Sequence, residues 1–139
     1  MHQTIIKEYN IFSPHEILPL YESVGWVNYT KHPEMLAAAY RNSLKCYAAY
    51  LDEQLVGMIR VVGDGVSVVF VQDLLVHPSV QRQGIGTALL HKILEEYRGV
   101  YQLHLLTDDT EQTTAFYRSL GFYTDAETGC RAFSRFHQD

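Results

Sequence analysis

The chain has 139 residues, 47% hydrophobic and 19% charged, the proportions of one globular domain large enough to bury its own core and not of a disordered or fibrous chain. A formal net charge of -5 with a pI near 5.7 argues against nonspecific binding to nucleic acid or to an anionic membrane, and mildly favours a cationic partner. Two cysteines without a Cys-x-x-Cys spacing and seven scattered histidines without His-Glu-x-x-His offer neither a disulfide framework nor a metal site.

The opening Met1-His2-Gln3-Thr4 has no basic stretch leading into an apolar one, and no run approaches membrane-spanning length, so a cytoplasmic protein is expected. Residues 3–9 alternate loosely around Ile5 and Ile6 and predict a first strand. Ser13-Pro14-His15-Glu16 then reads as an N-cap serine, a proline at the first helical position and a glutamate placed to close a capping box. Ile17, Leu18, Tyr21 and Val24 form the apolar stripe of that helix and Gly25 ends it. Residues 26–32 make a loop carrying the only tryptophan, and a second helix opened by Pro33 runs through Met35, Leu36, Ala39 and Tyr40. Trp26 and Tyr29 are large aromatics in that loop, where they either grip a substrate or cover the core.

Residues 45–51 and 55–62 are two antiparallel strands around the turn Asp52-Glu53-Gln54, with Cys46 a buried free thiol in the first. Gly63-Asp64-Gly65 turns into residues 66–76, β-branched and apolar enough on both faces for a buried central strand that Pro78 closes. Ile85, Ala88, Leu89, Ile93 and Tyr97 recur at helical spacing, with Gly99 as the stop. Strand, short loop, glycine pair and helix therefore follow one another. The first amides of a helix have no partner within it and face outward with the positive end of its dipole. Gly84, Ile85 and Gly86 open such a terminus without side-chain bulk at the glycines; Arg82 adds a charge, and Gln81, Gln83 and Thr87 add donors. The stretch reads as a phosphate cradle, the competing reading being a tight turn. Leu89 stands where a dinucleotide loop needs its third glycine, and the Gly-Lys-Ser/Thr ending of a P-loop is missing. Residues 100–107 are a strand parallel to 66–76 across the helical crossover, Asp109 with Gln112 caps a further helix that Gly121 ends, and residues 122–123 and 130–136, with Cys130 buried among them, supply the last strands. One domain over 1–139 is expected.

Leu75-Val76-His77-Pro78 followed by Gln81-x-x-Gly84-x-Gly86 resembles motif A of the GNAT superfamily of acyl-CoA-dependent N-acetyltransferases. Residues 115–122, Ala-Phe-Tyr-Arg-Ser-Leu-Gly-Phe, look like its motif B. The resemblance covers nearly the whole chain and implies an α/β (α+β) fold: a mixed, mostly antiparallel central sheet of six to seven strands with a parallel, splayed central pair, flanked by about four helices. It implies acetyl-CoA as cosubstrate, its pantetheine amides on the backbone of Leu75 and Val76 and its pyrophosphate on residues 81–87. Tyr117 would be the general acid toward the departing thiolate and Phe116 a wall along pantetheine or core. Thr110 stands where many members carry an asparagine that bonds the cofactor chain.

The implied reaction is direct attack of a neutral amine on the thioester in a ternary complex. Asp73, an acid within an apolar strand, is the candidate base, with a structural partner role as the competing reading; His77 and Glu22 are further candidates. No serine or cysteine nucleophile with a matched base stands out. The helix-loop-helix with Trp26 and Tyr29 would shape the acceptor site. The implied acceptor is a primary amine of a small molecule or peptide, and the Gly25-Trp26 loop followed by Val71-Gln72-Asp73-Leu74 and Gln81 is also similar to members that acetylate arylalkylamines. The reading from another class is a noncatalytic acyl-CoA-binding or interaction module. Exposed strand edges would permit a homodimer.

Overall fold

The β-branched and apolar runs form five strands, β1 (Thr4–Glu8), β2 (Lys45–Leu51), β3 (Gln54–Gly63), β4 (Val68–Val76) and β5 (Gln102–Leu105), lying side by side in chain order. The structure is a computed structural model and describes residues 3–137. Pairing is antiparallel from β1 to β4, and β4 and β5 are parallel from Val68↔Gln102 to Val71↔Leu105. Six α-helical segments accompany them: α1 (Pro14–Ser23), α2 (Val27–Thr30), α3 (Pro33–Arg41), α4 (Ile85–Glu96), α5 (Glu111–Ser119) and α6 (Asp125–Thr128). The mixed α/β class, the antiparallel meander and the parallel pair follow the sequence reading. Three details do not. Among the described residues the sheet has five strands, not six to seven; the helical segments outnumber four; and the parallel pair sits at an edge of the sheet.

The missing strands have a local cause. After Gly121, at φ 91°, the Thr124 hydroxyl accepts from the Glu127 amide while the Glu127 carboxylate accepts from the Thr124 amide, a complete capping box that nucleates α6 between the two stretches expected as strands. Beyond it residues 130–137 have no regular structure, and Phe133 and Phe136 are exposed. Cys130 is correspondingly exposed, not buried, whereas Cys46 is buried and its thiol is pushed up to about 11 by burial. Other caps also move by a residue or a partner. Glu16 does not close a box on Ser13; its carboxylate accepts from the Tyr9 hydroxyl at 3.1 Å, and the Ser13 amide donates to the Tyr9 hydroxyl oxygen, not to Glu16. Thr110, not Asp109, caps α5.

The chain divides between Leu105 and Leu106 into two compact units. The first contains the sheet with α1 to α4. Ile17, Leu20 and Tyr21 of α1 and Leu36 and Tyr40 of α3 bury against Cys46, Ala48, Met58 and Leu75 of the sheet. On the opposite face α4 buries Ile85, Leu89, Leu90 and Ile93. Gly57 faces this helix: a Cβ there would lie 3.1 Å from both Ile85 Cγ2 and Leu89 Cδ1, so its missing side chain lets the first turns of α4 approach the sheet closely.

The β3–β4 hairpin is held by Asp64, whose Oδ1 accepts from the amides of Val66, Ser67 and Val68 at 2.8, 2.8 and 3.0 Å and whose Oδ2 accepts from the Ser67 hydroxyl. The Ser67 hydroxyl first, then those amides, hold the carboxyl well below the usual carboxylate range. A depressed folded value gives stability that is present above the unfolded value, about 3.9, and is lost as pH falls toward the folded one. Asp64→Ala is therefore expected to be less stable than wild type at neutral pH, the gap shrinking below about pH 4. Urea denaturation of both proteins at pH 7 and pH 3 measures this; a gap independent of pH would remove the carboxylate from the account.

On β4 the register shifts. Arg60 of β3 faces Asp73 and Val61 faces Val71, so Gln72 is an extra residue without a partner on β3. Without this bulge Val71 and Asp73, two apart, would share one face. With it, Asp73 bonds Tyr21 of α1 and Leu75 joins the α1–α3 core, whereas Val69 and Val71 are buried outside that cluster. The run that reads as a strand apolar on both faces is two half-strands of opposite phase.

Candidate functional site

The bulge lies where β4 loses its parallel neighbour. Pairing with β5 ends at Val71, and β4 continues to Val76, leaving residues 72–76 with β3 on one side and an open edge on the other. The His77 amide donates to Val56 O at 2.7 Å, so alternation turns the backbone groups of Leu75 toward β3 and those of Leu74 and Val76 toward the open edge. The sequence reading assigned Leu75 and Val76 to that edge. Leu74 takes the place of Leu75, because backbone direction alternates as side chains do.

The chain leaves this edge through a 3-10 turn, Pro78–Val80, in which the Ser79 amide donates to His77 Nδ1, and enters α4 through the glycine loop. Val80 and Ile85 are buried and pin both ends, while residues 81–84 are exposed. Gly84 has φ 82° and nothing within 4 Å of where a Cβ would stand; Arg82 also takes a left-handed conformation, at φ 66°. The first helical hydrogen bond runs from the Ala88 amide to Gly84 O at 3.0 Å, so the amides of Ile85, Gly86 and Thr87 precede the ladder. Gln81 differs from its expected role as a donor to phosphate: its Nε2 donates to Val76 O at 3.0 Å and ties the loop to the open edge. Gln83, Gly86 and Thr87 stand in the loop and first turn as expected. Amides that precede the helical ladder, a glycine with open space beside it and an arginine next to a strand edge fit a phosphate ester carrying an amide-bearing arm.

Asp73 lies beneath, not on, this edge. It is 2% exposed, and its Oδ2 accepts from Arg60 Nε and from the Tyr21 hydroxyl, both at 2.7 Å. Arg60 is also buried and extends Nη1 to the Ser43 hydroxyl at 3.3 Å, its guanidinium carbon 5.5 Å from the Tyr40 ring centre. The Tyr21 and Tyr40 hydroxyls are 2.8 Å apart. Burial pushes both phenols above the ordinary tyrosine value, so both stay neutral. Burial alone would lower Arg60, and the Asp73 carboxylate more than offsets it. Arg60 escaped the sequence reading although its signal equals that of Asp73, one charge within the apolar run from Leu55 to Val62. Tyr21 reads as apolar stripe because its ring is core and only its hydroxyl is part of the network.

Trp26 and Tyr29, just before and on α2, are half-buried and meet the Tyr21 ring edge-on at 5.8 and 5.3 Å. Residues 27–30, expected as loop, form a single helical turn held by these contacts. The Tyr29 hydroxyl accepts from Gln72 Nε2 at 3.3 Å, which connects α2 to the bulge. The structure thus brings Trp26, Tyr29 and Asp73 together around Tyr21.

In the second unit Tyr117 is half-buried on α5 between the rings of Phe116 and Phe122, at 4.9 and 5.7 Å. Burial pushes its phenol above the ordinary value, with a hydrogen bond from Thr107 acting in the opposite direction. The Thr110 hydroxyl accepts from the Thr113 amide at 3.1 Å as the helix cap and also contacts the Thr113 hydroxyl.

Residues 42–124 match the acetyltransferase (GNAT) domain family. A GNAT-family acetyltransferase from Streptococcus pneumoniae TIGR4 is 42% identical, with a TM-score of 0.89 over 99% of this chain and 100% of that one. The histone acetyltransferase TAP1 of Glycine max is 33% identical over 127 residues, 81% of this chain but only 53% of that protein, so this chain spans about half of that relative. The PaiA N-acetyltransferase of Thermoplasma acidophilum, whose structure is a complex with coenzyme A, shares the fold at TM-score 0.70 and 16% identity over 87% of this chain and 90% of that one. No helix among the described residues is long and apolar enough to cross a membrane.

Proposed function

The chain belongs to the GNAT acetyltransferase family, and we propose that it transfers the acetyl group of acetyl-CoA directly to a primary amine of a small molecule or peptide. The observation that carries this reading is the juxtaposition of the unpaired amides opening α4 with the open edge of β4. The amides of Ile85, Gly86 and Thr87, with Arg82 and Gln83 beside them, receive the diphosphate. The backbone groups of Leu74 and Val76 bond the amides of the pantetheine arm as a further strand would, directing the thioester along β4. Orientation of two reactants is itself a large part of the rate.

Bound acetyl-CoA supplies an activated acetyl carbonyl. The amine nitrogen attacks that carbon, the carbon–sulfur bond breaks, and the thiolate leaves with the bonding pair. Trp26 and Tyr29 line the acceptor side, with Gln72 as their polar neighbour. Asp73, committed to Arg60 and Tyr21 and almost without exposed surface, acts by holding the bulge, and the amine surrenders its proton to water. An alkylammonium of pKa about 10 is then free amine in roughly one molecule per thousand at pH 7. In the second unit Tyr117 is the protonated donor to the thiolate, and Thr110, its hydroxyl engaged as a cap, contributes less to cofactor binding than a longer amide side chain would.

Calorimetric titration with acetyl-CoA, followed by thiol release across a panel of amines, tests the assignment. Gly84→Val forces a β-branched residue to φ 82° and fills the space beside the amides, so acetyl-CoA affinity is expected to fall at least tenfold. Undiminished affinity in that variant would place the diphosphate elsewhere. Binding without amine-dependent thiol release would make the protein a noncatalytic acyl-CoA module.

A further inference from the structure

We propose that Arg60, through its buried ion pair with Asp73, is a positioning residue that fixes the bulge at Gln72 and so keeps the edge of β4 open for acetyl-CoA. This rests on the functional reading above and goes beyond it in assigning Arg60 a part in cofactor binding. The geometry is specific. Arg60 and Asp73 face each other across β3 and β4, and the next pair toward the hairpin is Val61↔Val71, so the extra residue falls directly beside the ion pair. Parallel pairing to β5 stops at that same Val71.

The charges leave a single register acceptable. Removing the bulge would bring Asp73 back into phase with Val71, away from Arg60 and the Tyr21 hydroxyl and into the apolar α4 face. It would also exchange the directions of the backbone groups at the open end, turning those of Leu75 outward and those of Leu74 and Val76 toward β3. An apolar pair at these positions would fill the same volume but would leave both registers available, whereas the ion pair with its bonds from Tyr21 and to Ser43 selects one. The Arg60 guanidinium is spent on Asp73 and Ser43, away from the glycine loop and the open edge, so it acts through register alone.

The test compares wild type with the Arg60→Met/Asp73→Leu double variant, which removes both charges together. The double variant is expected to remain folded by circular dichroism, to bind acetyl-CoA at least tenfold more weakly in calorimetry, and to show the loss in the KM for acetyl-CoA with the KM for amine changed less than threefold. Backbone amide resonances of residues 72–76 should shift or broaden. A folded double variant with wild-type acetyl-CoA affinity overturns the proposal. If the double variant does not fold, Arg60→Lys decides: it retains the cation but loses the planar fork that reaches both Asp73 and Ser43. At least threefold weaker acetyl-CoA binding is then expected, and unchanged binding overturns the proposal. Wild type that binds no acetyl-CoA would sink the functional reading and this inference together, whereas tight binding by wild type and variants alike sinks only the inference.

Discussion

Asp73→Leu alone should be about 3–5 kcal/mol less stable than wild type, because it leaves the Arg60 guanidinium buried without its counter-charge. For a chain of this size that corresponds to a melting temperature lower by roughly 10–20 °C. Arg60→Met alone should cost a similar amount for the reciprocal reason, stranding the carboxylate beside neutral tyrosine hydroxyls with no counter-charge. The double variant should recover most of the loss, since two apolar side chains of similar volume need no partner in that space. Thermal unfolding of the four proteins closes a double-mutant cycle, and a coupling energy of several kcal/mol is the expected result. If the single losses are small and add in the double variant, the pair does not organise the core as described. Catalysis enters the same cycle: a base at Asp73 would leave Asp73→Leu and the double variant equally inactive toward amines at saturating acetyl-CoA, whereas a positioning role leaves the double variant with turnover.

The elements that carry the candidate site were readable because their physics is local. Gly84 announces a left-handed residue before a helix, Pro78 ends a strand, and the apolar run between the glycine turns and Pro78 must be buried. Strand boundaries such as Lys45–Leu51 agree because turn residues flank them on both sides. What escaped was long-range or a matter of phase. A one-residue bulge has no composition of its own, so the exchange of Leu75 for Leu74 at the open edge could not be seen without a partner strand. The partner of Asp73 lies 13 residues away across a hairpin and the hydroxyl that bonds it 52 residues away on a helix. The predicted strands at 122–123 and 130–136 failed differently: Thr124 with Glu127 is a capping signal plainly present in the sequence, and the helical turn it starts separates the two stretches.

Tyr117→Phe should lower kcat at saturating acetyl-CoA and amine by about a hundredfold, the lower end of what a positioned proton donor contributes. Acetyl-CoA affinity should change less than twofold, because phenylalanine keeps the ring that packs on Phe116 and Phe122 and removes only the hydroxyl. The pH profile separates this role from packing. Burial keeps the Tyr117 phenol protonated beyond its ordinary value near 10, so wild-type kcat should show no alkaline decline attributable to it below that pH. Meanwhile kcat/KM for an alkylamine should rise about tenfold per pH unit from 7 to 9, because only the free amine attacks and no side chain takes its proton. Tyr117→Phe should retain that rise while running a hundredfold lower in kcat. Steady-state rates from pH 6.5 to 10 measure both quantities. Turnover by Tyr117→Phe within threefold of wild type would remove the phenol from the chemistry, and a plateau in kcat/KM near pH 7 would demand a protein base that the present assignment lacks.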